Sequence, residues 1–142
     1  MSRTLRSDCP IAAGLDIFGD RWTLLVLRDM LLRGKSHYGE FATEESIASN
    51  ILADRLGALV QLGIIERVAD PDDGRKYTYR PLEPAIELLP VIADIAAWGA
   101  KYTDVTLPAE LQPISDPSTR RQIVSRMTKQ LSKQIAERDR RT

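Results

Sequence analysis

Four polar side chains between residues 46 and 55 have the chemistry to recognise another molecule. Ser46 and Ser49 carry hydroxyl groups, Asn50 carries an amide and Arg55 carries a guanidinium. An Asn amide can form two hydrogen bonds with adenine, and an Arg guanidinium can bind guanine or a phosphate. This set of residues therefore suits contact with the edges of DNA bases.

A second group of residues suits contact with phosphate. Arg75 and Lys76 directly follow the turn segment at residues 71–74. Lys35 and His37 lie at the start of a predicted short helix, where free backbone N–H groups also favour a phosphate. Because histidine titrates near neutral pH, a contact through His37 would make binding mildly pH-dependent.

Each of these residues also has a purely local interpretation. Ser46 or Ser49 would then serve only as a helix cap. Arg55 would pair with Asp54 or Glu66. The cations after the turn would balance three neighbouring aspartates, and the histidine would simply be exposed to solvent.

These candidate residues lie on a predicted series of helices with one β-hairpin. Tyr38 and Phe41 are expected to point inward from a short helix, and Pro90 is expected to kink a long one. The predicted elements are a helix over 10–18 closed by Gly19, a helix over 21–33 capped by Asp20 and stopped by Gly34, a short helix over 37–44 capped by Ser36, a leucine-rich helix ending at Gly63, a strand over Ile64–Val68, a return strand at Tyr77 and Tyr79, a helix over 83–102, and a last helix over 118–138.

Helix, short helix, helix and hairpin is the order of a winged helix-turn-helix domain. In that arrangement the second helix of the motif enters the major groove, and the hairpin lies along the backbone as a wing. The expected fold class is mainly α with a small β-hairpin wing (α+β). We expect residues 1–104 to form the DNA-binding and dimerisation domain, and residues 105–142 to form a linker and a basic amphipathic helix.

Composition narrows the function classes. The chain has 142 residues, of which 43% are hydrophobic and 28% charged, as expected of one globular domain. No apolar run is long enough to span a membrane and the first residues lack the apolar segment of a signal peptide, so we expect a cytoplasmic protein with no membrane partner. The sequence contains neither a phosphate-binding loop nor an acid–base pair that would indicate an enzyme. One cysteine and one histidine predict neither a metal site nor a cofactor.

Charge is unevenly distributed along the chain, although the formal net charge is zero. Residues 117–142 hold eight basic and two acidic side chains, whereas residues 38–80 hold five basic and eight acidic ones. The basic last helix either adds phosphate contacts or packs through its apolar stripe, and we favour packing on its own subunit or on a partner.

Several motifs at consistent spacing resemble those of the HxlR-type winged helix-turn-helix transcriptional regulators, which are related to the MarR-like regulators. The resemblance covers roughly residues 9–102, and the tail lies outside it. The matching segments are CPIAAGLDIFGDRWTLLVLRDMLLRG, HYGEFA, SIASNILADRLGALVQLGIIER and DPDDGRKYTYRPLEPAIELLPVIADIAAWG.

The resemblance implies a homodimer that binds an inverted-repeat operator on double-stranded DNA, and promoter occlusion favours a repressor. The family dimerises through its N-terminal segment and the helix after the wing, so the expected interface residues here are Ile11, Leu15, Leu89, Ile92, Ile95 and Ala96. The acidic balance of residues 38–80 leaves an alternative, a winged-helix protein-interaction adaptor without DNA binding.

Cys9 is a candidate redox sensor by the same resemblance, because some HxlR-type regulators sense thiol-reactive compounds at the cysteine before this proline. Such a compound would be the small-molecule or electrophile effector. Arg3, Arg6 and Arg21 would lower the pKa of the thiol and favour the thiolate, whereas Asp8 opposes this. The alternative is a half-buried structural thiol at the dimer interface.

Two tryptophans leave a last alternative open. Trp22 and Trp98 either line a ligand pocket or simply belong to the core, and the core is the favoured interpretation.

Overall fold

The computed structural model describes residues 6–141, so Arg3 lies outside the described residues. Two compact units divide between Pro84 and Ala85. In the described part no helix is both long and apolar enough to cross a bilayer. The elements are α1 (Pro10–Phe18), α2 (Thr23–Leu32), a first 3-10 helix (Tyr38–Glu40), α3 (Ser49–Gln61), β1 (Ile65–Ala69), β2 (Tyr77–Pro81), α4 (Glu83–Ile86), α5 (Leu89–Tyr102), a second 3-10 helix (Ala109–Ser115) and α6 (Pro117–Arg140).

The first unit has the winged helix-turn-helix arrangement that the sequence predicts, mainly α with one small hairpin. The first 3-10 helix stands in the place of the short first helix of the motif, α3 forms the second helix, and β1 and β2 form the wing, residues 65–81. The Phe41 and Tyr79 rings meet edge to face at 6.2 Å between centroids, which joins the turn of the motif to the wing. The buried apolar residues of this unit are Val26, Leu27, Met30, Leu31, Phe41, Ala42, Leu52, Leu56, Leu59, Ile64, Ile65 and Tyr79.

α2 begins two residues later than predicted. The Asp20 carboxylate accepts hydrogen bonds from the backbone N–H groups of Trp22 and Thr23, at 2.8 and 2.9 Å. Asp20 therefore still binds the first N–H groups of the helix, but it lies two positions before the N-cap residue, which is Trp22 and not Asp20 as predicted. At the other end Gly34 has a φ of +64°, a left-handed conformation that ends the helix as predicted.

The predicted short helix over 37–44 is wrong in extent. Only Tyr38–Glu40 forms a 3-10 helix. Ser36 does not cap this helix as predicted. Instead, the backbone N–H of His37 donates to the side-chain Oε1 of Glu40 at 2.9 Å. Ala42 and Ser46 then take positive φ angles of 51° and 59°, so the chain turns sharply instead of continuing a helix.

The wing is antiparallel, and Arg67 pairs with Tyr79 in its register. Tyr79 also donates its backbone N–H to the Ser36 carbonyl at 2.8 Å. An isolated bridge joins His37 to Thr78. The segment before the 3-10 helix therefore pairs with β2, which fixes the wing relative to the helix-turn-helix turn.

The second unit contains α5, the second 3-10 helix and α6. The predicted helix over 83–102 is interrupted between Ile86 and Leu89, because Pro90 occupies the first turn of α5 and lacks an N–H. α6 is capped by Asp116, whose carboxylate accepts from the Thr119 N–H at 2.8 Å. In this division α5 groups with the tail, while the predicted functional boundary after residue 104 stays a prediction.

Candidate nucleic-acid interface

The front half of α3 presents small polar groups outward while its other face is buried. Leu52, Leu56 and Leu59 hold the helix against the core of the first unit. Ser49 and Asn50 are exposed, and the neighbouring outward positions are the small residues Ala53, Gly57 and Ala58 together with the acid Asp54. A helix with small side chains at its tip fits the major groove, whose width is about 12 Å.

The interpretation of Ser46 and Ser49 as helix caps is wrong, because Ala48 occupies the N-cap position of α3. Ser46 lies in the preceding turn with its side chain exposed and its N–H bonded to the Thr43 carbonyl at 3.1 Å. Ser49 is the first residue of the helix. Both hydroxyl groups thus stand beside the helix tip.

Tyr38 is a residue of this site that the sequence reasoning assigned only to packing. Its hydroxyl donates to the Ser49 carbonyl at 2.5 Å and lies 3.0 Å from the Ser49 Oγ. Tyr38 is half-buried, so it joins the 3-10 helix to the start of α3 at the surface. This contact orients the Ser49 hydroxyl.

Arg55 is half-buried, and two carboxylates hold its guanidinium. Its Nε donates to Asp20 Oδ2 at 2.9 Å and its Nη1 to Asp54 Oδ2 at 2.6 Å. Burial alone would raise the pKa of Asp20, but hydrogen bonds from Thr23, two backbone N–H groups and Arg55 bring it below its ordinary value. The predicted local pairing of Arg55 with Asp54 is therefore confirmed. The hydrogen bond from Arg55 to Asp20 joins α3 to the start of α2.

The wing tip presents its cations to solvent. The Arg75 side chain is 92% exposed and lies 3.4 Å from Asp73, a loose contact. Lys76 is also exposed. Sequence reasoning missed Arg67, which is exposed on β1 with its guanidinium 4.3 Å from the centre of the Tyr77 ring. Alternation along the strand was the signal that could have placed Arg67 on the outer face.

His37 stands between two carboxylates rather than alone. Its Nδ1 lies 3.0 Å from Glu40 Oε1, and its Nε2 lies 3.7 Å from Asp70 Oδ2. The backbone N–H of His37 lowers the pKa of the Glu40 carboxyl, which keeps that negative charge beside the ring. Lys35 is half-buried, and its backbone N–H donates to the Asp29 carbonyl at 3.1 Å.

A cleft of about 700 Å³ separates the 3-10 helix from the wing. It is lined by His37, Arg75 and Lys76, three of the four predicted phosphate contacts, whereas Lys35 does not line it. Three tyrosines add aromatic walls and hydroxyl groups. The lining residues are His37, Tyr38, Gly39, Glu40, Arg75, Lys76, Tyr77 and Tyr79.

A buried carboxylate positions the turn that leads into α3. Asp29 has no exposed surface, and its Oδ2 accepts the Ala42 N–H at 2.7 Å. Its Oδ1 lies 2.9 Å from Arg28, which also binds Glu45 through two hydrogen bonds of 2.9 and 3.0 Å. We call Asp29, Arg28, Glu45 and Ala42 the turn brace. It fixes the backbone where Ala42 has its positive φ.

The pKa values of the turn brace show how the charges are kept. Burial alone would raise the pKa of Asp29, but hydrogen bonds from Arg28 and from the Ala42 N–H lower it below its ordinary value. The hydrogen bond from Arg28 likewise lowers the pKa of Glu45. Both carboxyl groups are therefore ionised at neutral pH, and each holds the guanidinium of Arg28.

Cys9 is exposed at the N-cap of α1. The Arg6 guanidinium, expected to favour its thiolate, lies 2.7 Å from Asp16 instead. The interpretation of Cys9 as a half-buried thiol is wrong for the chain by itself. Its exposure leaves the thiol open to a reagent.

The expected dimer residues separate into two sets. Ile11, Leu15 and Ile95 are 73%, 50% and 53% exposed, and Ala96 is half-buried. Leu89 and Ile92 are only 1% and 8% exposed. Their assignment to the interface is therefore wrong, because the chain itself already covers them.

Trp98 does not belong to the core, contrary to the favoured interpretation. Its side chain is 64% exposed and its ring lies 5.2 Å from that of Tyr102, which is 62% exposed. Trp22 is half-buried. Ile95, Trp98 and Tyr102 follow one another at spacings of three and four residues, so α5 carries an exposed apolar face. We call these three residues the α5 apolar face.

Comparison with known proteins agrees with this geometry. The family model described as HxlR-like helix-turn-helix matches residues 17–106, more than half of the chain. MT3179 of Mycobacterium tuberculosis (strain CDC 1551 / Oshkosh), an uncharacterized HTH-type transcriptional regulator, is 34% identical over 92 residues, which is 65% of this chain. The match spans 58% of the length of that relative.

Two solved structures share the fold. The crystal structure of PA1607, a candidate transcription factor, has a TM-score of 0.64 at 34% identity, covering 73% of this chain and 72% of that one. The reduced form of the transcriptional regulator YodB from Bacillus subtilis has a TM-score of 0.54 at 28% identity, covering 69% and 97%. The diamide-treated form of YodB has a TM-score of 0.51 at 28% identity, covering 68% and 97%.

Proposed function

The chain belongs to the HxlR-like helix-turn-helix family, and from this premise we propose that it is a sequence-specific DNA-binding transcriptional regulator that acts as a homodimer on an inverted-repeat operator. The observation that carries the proposal is the exposed, small-residue front half of α3 beside a wing tip whose Arg75 and Lys76 are exposed to solvent. Ser49 and Asn50 would read base edges, and Arg75 and Lys76 would bind phosphates. Arg67 joins them as a candidate phosphate contact.

Homodimer formation is supported by apolar surface that the chain leaves uncovered. α1 has no buried residue and exposes Ile11 and Leu15. α5 exposes the α5 apolar face. Large exposed apolar side chains of this kind mark interaction surfaces, and a two-fold dimer would present two copies of α3 to two half-sites. Occlusion of a promoter by such a dimer would repress transcription.

The experiment that tests the proposal is an electrophoretic mobility shift with DNA from immediately upstream of the chain's own gene. We expect the protein to retard this DNA. Its affinity for the DNA should fall steeply as salt is added, because binding releases cations that were condensed on the phosphates. Absence of any shift, with DNA selected from a random library as well, would favour the adaptor alternative. A promoter–reporter fusion then reads the sign of regulation.

Replacing Asn50 with alanine is expected to weaken binding to the selected operator by about 1–3 kcal/mol, roughly 5- to 150-fold, while sparing random DNA. The reason is loss of the two-hydrogen-bond contact of an exposed amide with a base. Gln61→Ala is the matched control, because Gln61 is exposed at the far end of the same helix. Equal losses on operator and random DNA would show that Asn50 does not read a base.

A response to thiol reagents is a second part of the proposal. It is supported by the exposure of Cys9 and by the relationship to YodB, which was studied in reduced and diamide-treated forms. We expect alkylation or diamide treatment to change operator affinity in the wild type. The Cys9→Ser variant should bind the operator and ignore the reagent. An identical response in Cys9→Ser would eliminate the sensor role.

A further inference from the structure

α6 is divided lengthwise into an apolar side and a basic side. Its apolar positions are half-buried or buried, with Val124 only 8% exposed. Exposed cations occupy residues 126, 129, 133 and 140, whose spacings of three, four and seven residues place them on one side of a helix. We call Arg126, Lys129, Lys133 and Arg140 the α6 basic stripe.

The α6 basic stripe is long and strongly charged. Residues 126 and 140 are separated by about 21 Å along the helix, at a rise of roughly 1.5 Å per residue. Residues 117–142 hold eight basic and two acidic side chains. One of those acids, Glu137, makes only a loose contact with Lys133, at 4.0 Å between Oε1 and Nζ. The Lys133 side chain is 75% exposed. Most of the positive charge therefore faces solvent.

The elements proposed to read DNA carry more negative than positive charge. Residues 38–80, which contain α3 and the wing, carry five basic and eight acidic side chains. Arg55 and His37 both face carboxylates, so they supply little positive charge to a phosphate. Affinity for duplex DNA depends on cations that replace condensed counterions. The α6 basic stripe adds four exposed cations of this kind.

We propose that the α6 basic stripe is a second DNA-contact surface, which binds the phosphate backbone of duplex DNA. The inference rests on the proposed function and adds a contact surface outside the family-matched residues 17–106. Each of the four side chains would contact phosphate without reading bases. The contact would raise affinity on long duplexes and leave operator preference to α3.

An anionic membrane surface fits the same charge less well. A helix that lies on a membrane inserts an exposed apolar face below its basic side chains. In α6 the apolar side is already half-buried or buried, since Ile123, Met127 and Leu131 are half-buried and Val124 is buried. Binding to the phosphodiester backbone of DNA requires only exposed cations and no exposed apolar face. The burial pattern of α6 therefore favours DNA over a membrane.

The test compares the wild type with the variant Arg126→Gln/Lys129→Gln/Lys133→Gln on an operator selected in vitro by the wild type. Each lost phosphate contact flattens the dependence of log affinity on log salt by about 0.9. Raising the salt from 50 to 200 mM should therefore weaken DNA binding by the variant less than binding by the wild type. The difference should be a factor of up to about 40 per protomer. Trimming the DNA that flanks the operator should weaken the wild type, and should weaken the variant, which keeps only Arg140 of the stripe, much less.

Two controls separate charge from shape. Arg126→Lys/Lys129→Arg/Lys133→Arg keeps the charges and should retain the wild-type salt dependence. Gln130→Ala/Gln134→Ala alters exposed neutral positions of the same helix and should have no effect. Thermal unfolding followed by circular dichroism checks that each variant folds.

The remaining outcomes each decide the matter. The inference would be overturned, and the proposed function left intact, if the glutamine variant had the same salt dependence and the same response to flank trimming as the wild type. Binding of phosphatidylserine vesicles by the wild type but not the variant, together with unchanged DNA binding, would overturn it in favour of a membrane surface. A wild type that binds no selected or random duplex would overturn the proposed function and this inference together.

Discussion

Replacing Asp29 with alanine is expected to lower the free energy of unfolding by about 3–5 kcal/mol, the usual cost of removing one partner from a buried ion pair. Asp29 has no exposed surface. The substitution leaves the Ala42 N–H without its acceptor at 2.7 Å and removes the carboxylate 2.9 Å from Arg28. Both effects fall on the turn brace, because Asp29 is its central acceptor.

Chemical denaturation of the variant and the wild type measures this loss. Glu44→Ala is the matched control, since Glu44 binds Arg33 at 3.0 Å but is 63% exposed, and exposed ion pairs contribute only about 0–1 kcal/mol. Asp29→Asn should fall between the two, because an amide oxygen can still accept the Ala42 N–H while the charge is lost. A loss below about 1 kcal/mol in Asp29→Ala would refute the role assigned to the turn brace.

The same carboxylate gives the stability a defined dependence on pH. The pKa of Asp29 is lower in the folded protein than in the unfolded chain, where it is about 4. A depressed pKa contributes stability that is present above the unfolded value and is lost as the pH falls through the folded value. The wild type should therefore lose stability below about pH 4, and Asp29→Ala should lose less of it in that range.

Asp29 also shows why sequence reasoning reached the fold before it reached the turn. The apolar period of α2 puts residue 29 on the same side as Val26 and Met30, both buried. A buried acid at such a position requires partners, and one of them is the N–H of residue 42, which no local pattern links to it. The predicted helix over 37–44 failed for the same reason, since the turn is fixed by tertiary contacts.

The candidate interface was predicted in part because its elements are local. The leucine period of α3 determines which residues face outward, so Ser49 and Asn50 could be placed from sequence. The fate of Arg55 could not, because Asp20 lies 35 positions earlier in the chain. Leu89 and Ile92 were likewise misassigned, since an apolar period alone does not tell a side chain that packs internally from one that awaits a partner.

The corrected exposures identify where dimerisation should be most sensitive. Trp98 and Ile95 are 64% and 53% exposed on the α5 apolar face, whereas Leu89 is buried. In a two-fold interface each residue is buried twice, and burial of one large apolar side chain contributes about 1.5–3 kcal/mol. The variant Ile95→Gln/Trp98→Gln is therefore expected to weaken the dimer by more than about 4 kcal/mol, roughly 1,000-fold.

Loss of the dimer should carry over to DNA. Two linked half-site contacts exceed the affinity of one by about 10²- to 10⁴-fold, so the variant should bind the full operator no better than a half-site. Sedimentation equilibrium measures the dimer, and mobility shifts on full and half operators measure the coupling. Glu87→Gln, an exposed change just before α5, should leave both unchanged. Because Ile95 and Trp98 are exposed in the single chain, the variant should unfold like the wild-type monomer; a variant that stays dimeric would place the interface elsewhere.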